Sequence, residues 1–498
     1  MRMKLAGVAL AALMGIAAWS PSALADNTLV VAQEAEPVGL DLMRSSIQTT
    51  MSVSYNIHDT LFRPQGDASI RPALAKTWKQ LDDRTWRVTL REDATFHDGT
   101  PVTAEAVKFS FNRIMSDALN SPNRGKLSAF DKVEVVDDRT VRISTKEPYA
   151  PGLYMLAYYL PIVPPHAVKE MGDEQYNVDP VGSGPYRLEE WKKGQEVVLK
   201  AYDDYYGPKP AYDTVTFRSI PEPEARVAAL LTGEVDVISG IAYHQRERIR
   251  KSDNAHLTDQ MGVMPYLGLN TYEAPFDDKR VRQAVNYAIN RKLIVDALFD
   301  GEAILAEGVI SPRTFGAAPD LEPYPYDPDK AKQLLKEAGH GDGLQARLAY
   351  PTYMTQIQQQ AEIIQAQLAK VGIDVKLEPF ERAVMWDRYK AQKHQMYIYW
   401  WDDAPEPDRY VYPLLHSESR DYYYKNPEVD KLLDKGRRTL DREARAKVYH
   451  EVDHVLYEDA PWAFLYIIPD VFGVANDVDY EGRRDGFLDM RSAKPSSN

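Results

Sequence analysis

The chain has 498 residues, 44% hydrophobic and 27% charged, with a formal net charge of −14 and no cysteine. That length exceeds what one hydrophobic core serves, so two or three lobes are expected. The acidic balance disfavours nucleic-acid and membrane-surface partners, and the lack of cysteine excludes disulfides, Cys-based nucleophiles or metal sites and a lipid-modified N-terminal cysteine.

Arg2 and Lys4 precede an unbroken run of apolar and small residues from Leu5 to Trp19. Ser20-Pro21 interrupts it, and Ala23-Leu-Ala25 offers the small residues a signal peptidase needs. The run is shorter than the roughly 20 residues that span a bilayer. Residues 1–25 are therefore expected to be a cleaved export signal, leaving a soluble periplasmic protein that starts near Asp26.

Thr28-Leu-Val-Val-Ala32 and the alternating Trp86-Arg-Val-Thr-Leu90 read as strands, and Thr103 caps a helix running to about Met115. Val133 to Val136 and Thr140 to Ser144 flank Asp137-Asp138 as a hairpin. The proline-dense Pro161 to Pro165 suggests a crossing between lobes, and Gly182-Ser-Gly-Pro185 a turn into a second strand-rich block ending near Gly240. After Val263 the texture becomes α/β. One long amphipathic helix is expected from Asp277 to Gly301, and another opens at Asp327-Pro328 and closes at Gly339. Gln358 to Val371 reads as a helix stopped by Gly372, with a strand from Ile373 to Leu377. Asn426-Pro427 and Asp441 cap two further helices.

One catalytic pattern occurs, His450-Glu-Val-Asp-His454, which matches the H-E-x-x-H zinc signature with Glu451 in the base position. Helical phasing places Val448, Val452, Val455 and Leu456 on one stripe and both histidines opposite, on a solvated face. Asp453 adds a charge beside them, and no third ligand is evident in the 44 residues that follow. A secreted zinc hydrolase is thus a remote alternative. No catalytic residue, metal site or cofactor is expected.

The most unusual stretch is Tyr397-Ile-Tyr-Trp-Trp-Asp-Asp-Ala-Pro-Glu-Pro-Asp408. In a strand, Tyr397, Tyr399 and Trp401 share one face, Ile398 and Trp400 the other. Asp402 and Asp403 then fall at the strand end, where α/β sheets open onto clefts. A carboxylate fixed beside indole rings suits a ligand ammonium, the charge pairing while the rings exclude water. The same two aspartates also fit a plain turn before Pro405.

Several segments resemble family 5 of the bacterial extracytoplasmic solute-binding proteins, the peptide and nickel group. They are Arg71-Pro-Ala-Leu-Ala-Lys-Thr-Trp78 with Leu90-Arg-Glu-Asp-Ala-Thr-Phe-His-Asp-Gly-Thr-Pro101 and Thr103-Ala-Glu105, then Val181-Gly-Ser-Gly-Pro-Tyr186. Asn270 with Pro275-Phe-Asp-Asp and Val281-Arg-Gln-Ala284, Tyr326-Asp-Pro-Asp-Lys-Ala331 and Glu458-Asp-Ala-Pro461 continue the series. Ala106 departs from the pattern, in which aspartate usually follows Thr-Ala-Glu.

The resemblance implies an α/β fold of the type II periplasmic binding protein kind, two large hinged lobes with a small inserted third domain. Lobe I would comprise residues 26–55, 179–264 and 475–498, lobe II residues 56–178, and lobe III residues 265–474. It further implies a non-enzymatic monomer that traps a small peptide or peptide-like ligand between lobes I and III. That ligand would be delivered to ABC transporter permease subunits in the inner membrane. By similarity to dipeptide-binding relatives, Asp403 takes the amine-binding position, with Asp402, Trp400 and Trp401 around it. Those relatives grip the ligand carboxylate with an arginine where this chain has Pro351-Thr-Tyr353. Tyr353 therefore enters the candidate site, with Arg382 or Arg409 as substitutes for the missing cation. A nickel–histidine chelate, glutathione or an opine-like solute is the alternative ligand.

Overall fold

A computed structural model of the chain describes residues 27–259, 262–352, 355–419, 423–483 and 485–497. The expected export segment lies outside them. Three sheets, each with its own apolar core, organise the described residues.

The first is seven-stranded, in the order Ala255–Asp259, Val471–Ala475, Val237–Ile238, Thr28–Gln33, Thr214–Ser219, Glu196–Ala201, Tyr186–Lys192. It draws on the beginning, middle and end of the chain. Val31, Leu199, Val215 and Phe217 bury one side of it. Phe472 and Val474 pack into the same core.

The second sheet is a four-stranded antiparallel meander, Ala75–Asp82, Thr85–Leu90, Thr140–Thr145 and Phe130–Asp137. Period-2 alternation places Trp86, Val88, Val141 and Ile143 on the face covered by the helix Ala104–Met115. The Thr103 side chain caps that helix at the Ala106 amide, as its position predicts. Pro161 to Pro165 is not a crossing between lobes. Ile162 and Val163 are wholly buried in this second core, their amides held by the Asp59 carbonyl and the Ser110 hydroxyl. A proline-dense stretch there packs as a buried extended segment because prolines leave no backbone donor to satisfy.

The true return to the first sheet is the Gly182-Ser-Gly-Pro185 turn. A Cβ on Gly182 would lie 1.9 Å from the Ile57 carbonyl oxygen and one on Gly184 2.5 Å from that of Asn56. Only glycine lets this turn press against the end of the helix Gln48–Ile57. His97 stitches the turn to the meander. Its amide donates to the Gly182 carbonyl at 2.9 Å, while its buried ring receives the Gly182 amide at Nδ1 (3.2 Å) and meets the Gly184 carbonyl through Nε2 (3.0 Å). Burial pulls that imidazole down to about 4, so it is neutral at physiological pH.

The third sheet is five-stranded, in the order Ile373–Phe380, Leu344–Pro351, Met396–Asp402, Val263–Leu269, Trp462–Phe464. The helix expected from Asp277 to Gly301 is two helices, Lys279–Ala288 and Arg291–Phe299, capped by Asp278 and Asn290. The break is stabilised by Arg291, fully buried, whose guanidinium donates to the Asn286, Ile289 and Phe464 carbonyls. The remaining helices, Pro328–Glu337, Thr355–Ala369, Pro427–Arg438 and Arg442–Asp459, stand where their signals placed them, Thr355–Ala369 starting three residues early. Asp327, Asn426 and Asp441 cap as expected.

The chain passes from the first sheet, after Asp259, to the third, where Val263 begins a strand, and returns between Ile468 and Val471; Val263 and Ile468 lie side by side. Val263 and Ile468 exchange both backbone hydrogen bonds, at 2.9 and 2.8 Å. A Cβ on Gly262 would sit 2.5 Å from the Ile468 carbonyl oxygen, so glycine permits the close pairing. Paired chain crossings between two sheet-centred bodies are where hinge motions are accommodated.

Candidate functional site

The strand Met396–Asp402 ends beside this hinge, with Asp402 opposite Val263. Its aromatic residues alternate as the sequence indicated. Tyr397, Tyr399 and Trp401 face one apolar cluster, and Ile398 and Trp400 face the other. Two cavities adjoin the strand end. One of about 680 Å³ is lined by Pro351, Arg382, Trp386, Tyr399, Trp400 and Trp401 among others, and a second of about 190 Å³ by Tyr158, Tyr159, Lys126, Arg409, Asp470 and Asp485 among others. Ser46, Trp401 and Asp402 line both. The smaller cavity thus lies where all three sheet-centred bodies meet.

Of the expected site residues, Trp400, Trp401, Asp402, Arg382 and Arg409 are brought to these cavities. Arg382 stands exposed at the start of the helix Arg382–Lys390, on the larger one. Tyr353 lies outside the described residues. Asp403 is 1% exposed, and its amide is fixed by the Gly262 carbonyl at 2.8 Å. Among the described residues neither of its carboxylate oxygens has a hydrogen-bond partner. Burial raises this carboxyl above its ordinary value, while the nearby Ser311 side chain, outside hydrogen-bond geometry, and Arg313 oppose the rise. A buried carboxylate left this way costs several kcal/mol unless something arrives to pair with it.

Arg409 is buried against the smaller cavity, which Asp403 does not line. Its guanidinium stacks 3.9 Å from the centre of the Tyr158 ring and donates through Nε to the Tyr159 hydroxyl at 3.2 Å. Its Nη1 is buried with no hydrogen-bond partner among the described residues. Asp470, at the hinge, is also raised by burial, and Asp485 is neutralised by Arg483 at 2.5 Å.

The buried charges next to this site are each met by one of opposite sign. Glu406 and Arg445 form a buried bidentate pair, one bond at 2.9 Å. Asp408 accepts the Tyr149 hydroxyl at 2.7 Å and is ion-paired with Arg437 at 2.9 Å, off the hydrogen-bond axis. With the Ala150 amide donating to the Arg437 carbonyl at 2.7 Å, these contacts dock the four-stranded body onto the five-stranded one.

Sequence reasoning missed Ser46, Lys126, Tyr158 and Tyr159, which arrive from the other bodies. A signal did exist: Tyr154, Tyr158 and Tyr159 crowd the short helix Gly152–Tyr159, and tyrosine at such density favours surfaces that are both apolar and polar. In the zinc-like motif, exposed His454 pairs with Asp320 at 3.0 Å and Glu451 lies 3.8 Å from Lys435. Asp453 turns inward, 1% exposed, its carboxylate accepting the Val309 and Ile310 amides. Among the described residues no group of three or more His, Cys, Asp or Glu side chains is gathered as for a metal.

Comparison with known proteins adds the family. A family description, bacterial extracellular solute-binding proteins, family 5 Middle, matches residues 69–422. The glutathione-binding protein GsiB of Salmonella typhi is 31% identical over 462 residues, covering 89% of this chain and 90% of that protein. The periplasmic binding protein DppA from Helicobacter pylori, solved in complex with the peptide STSA, shares 28% identity with a TM-score of 0.80 over 94% of this chain and 98% of that one. AgaA from A. tumefaciens R10, in complex with agropinic acid, is similar at 28% identity and TM-score 0.79, over 95% and 99%. The chain belongs to family 5 of the bacterial extracellular solute-binding proteins.

Proposed function

We propose that this protein captures short peptides between its hinged bodies and hands them to an ABC permease in the inner membrane, without catalysis of its own. The reading includes export by cleavage of residues 1–25 and a monomer free in the periplasm. The observation that carries it is Asp403, a carboxylate buried beside the hinge with both oxygens unsatisfied. A ligand ammonium supplies the missing partner. Because that ligand touches more than one body, it binds the closed arrangement better than the open one and shifts the population. Main-chain groups along the strand Met396–Asp402 and loose cavity walls give tolerance of side chains.

Calorimetry with a peptide carrying a free amine, and with its N-acetylated counterpart, tests the assignment. Asp403→Asn is expected to weaken the first by about 2–5 kcal/mol and leave the second unchanged. Equal losses for both refute it.

A second reading, glutathione or an opine-like solute on the same fold, is favoured by the absence of arginine at Pro351-Thr352 and by the GsiB likeness. A thermal-shift panel of peptides, glutathione, opines and nickel–histidine separates the two, since a ligand raises the melting point through linkage.

A further inference from the structure

We propose that Asp453 is a positioning residue for ligand capture: by holding the loop 308–318 it keeps the Arg313 guanidinium near the Asp403 carboxylate but out of contact with it, leaving that carboxylate for the ligand's ammonium. The inference rests on the ammonium reading of Asp403 above.

Asp453 belongs to the His450 to His454 run, which ligand binding leaves unexplained. On the helix Arg442–Asp459, Arg442, Arg445, Tyr449 and Asp453 recur every three or four residues and share one face. That face carries the loop. The guanidinium groups of Arg442 and Arg445 lie 4.3 and 5.2 Å from the centre of the Phe315 ring. Gly316 passes Tyr449 with φ 82°, where a Cβ would sit 2.8 Å from that of the tyrosine. Asp453 then gathers the loop at both ends. Its Oδ1 accepts the Val309 and Ile310 amides at 3.0 and 3.1 Å, and its Oδ2 the Ala318 amide at 3.4 Å. A Cβ on Gly308 would fall 2.5 Å from Oδ1, so glycine lets the loop close onto the carboxylate. Amides turned inward need an acceptor, and an apolar side chain here would leave them buried and unpaired.

The other side of the loop is fastened to the chain that follows Asp403. The Thr314 hydroxyl donates to the Ala404 carbonyl at 2.7 Å and the Phe315 amide to the Pro405 carbonyl at 2.8 Å. The Tyr410 hydroxyl accepts the Ser311 amide at 3.1 Å and donates to Thr314 Oγ1 at 3.2 Å. Ser311 and half-buried Arg313 lie among these anchors, and both side chains act to hold the Asp403 carboxyl down. Yet neither Asp403 oxygen is hydrogen-bonded among the described residues. A guanidinium at that distance helps keep the carboxylate ionised; one step closer it becomes a bidentate partner and takes the place of the ammonium. The loop's anchorage decides which of the two it is. Asp403 itself is held independently, through its amide on the Gly262 carbonyl, so the loop can shift without moving it.

The test uses the full mature protein, with a free-amine tripeptide and its N-acetylated counterpart measured by calorimetry. The wild type should prefer the free amine by roughly 30-fold or more, the lower end for a desolvated charge pair. Asp453→Asn should cut that preference about tenfold while the acetylated peptide binds within about twofold of wild type. Gly308→Ala displaces the loop with the carboxylate intact and should do the same. Adding Arg313→Met to either variant should restore the preference, because the competing cation is gone; Arg313→Met alone should leave it at least at the wild-type level. A merely structural role predicts something else: both peptides weaken together and Arg313→Met rescues nothing. That result, or a preference unchanged in both loop variants, overturns the inference while the ammonium reading stands. Should Asp453→Asn fail to fold, Gly308→Ala with and without Arg313→Met decides alone. Equal binding of the two peptides by the wild type overturns the ammonium reading and this inference with it.

Discussion

Two sets of buried charge lie within a few residues of each other on the turn after the aromatic strand, and they are treated in opposite ways. Glu406 and Asp408 are each met by an arginine and by hydrogen bonds, and they fasten elements together. Asp403 and Arg409, three residues earlier and one residue later, are as deeply buried yet keep polar atoms unsatisfied. Burying a charge costs the same wherever it happens, so the difference lies in who supplies the partner. For the first set the chain supplies it. For the second, on the proposed function, the partner is the ligand, which is how a transport protein would hold cargo firmly in one state and release it in another.

Matched substitutions sharpen that contrast. Glu406→Gln leaves Arg445 buried and uncompensated, and should cost about 3–5 kcal/mol, read as a clear fall in thermal midpoint of the empty protein. Asp403→Asn removes a charge with no partner, so the empty protein should melt at the same temperature or higher, while free-amine peptides lose about 2–5 kcal/mol of binding. A fall at Asp403 equal to that at Glu406 would make Asp403 structural. Tyr149→Phe deletes the hydroxyl that joins the four-stranded body to Asp408, worth about 1.5–3 kcal/mol for a bond to a charged group. Ligand should leave faster in stopped-flow dissociation, with its association rate little changed.

The smallest effect concerns pH. Burial raises the Asp453 carboxyl from 3.8 to about 7, against the pull of three backbone amides. Between those values the native state holds a proton that the unfolded chain has released, so this group makes stability fall as pH rises. Asp453→Asn should flatten that part of the slope relative to the wild type in melting curves taken from pH 4 to 8. An unchanged slope would show that the carboxyl titrates normally.

Much of this was legible in the sequence. The caps at Thr103, Asp327, Asn426 and Asp441 are local, and so is the alternation of the aromatic strand, so both could be read from spacing. The motifs around His97 and Gly182 could be recognised, but not that each satisfies the other, because 85 residues separate them. The break at Asn290 escaped because the apolar period continues across it, and only the buried Arg291 shows why the chain turns. The candidate site draws on two kinds of residue. Asp402, Asp403, Trp400, Trp401 and Arg409 lie in one stretch, whereas Lys126, Tyr158 and Tyr159 are carried in by another body and leave no mark in the spacing. An ion-pair partner within the chain, the property that distinguishes Asp408 from Asp403, exists only in three dimensions.

The most direct test is to compare one tripeptide in four forms, with each end free or blocked, by calorimetry on wild-type protein stripped of any co-purified ligand. The account predicts that the zwitterion binds tightest, that each single block costs a comparable share, and that the doubly blocked form binds negligibly. Doubly blocked peptide bound as tightly as the zwitterion would contradict it.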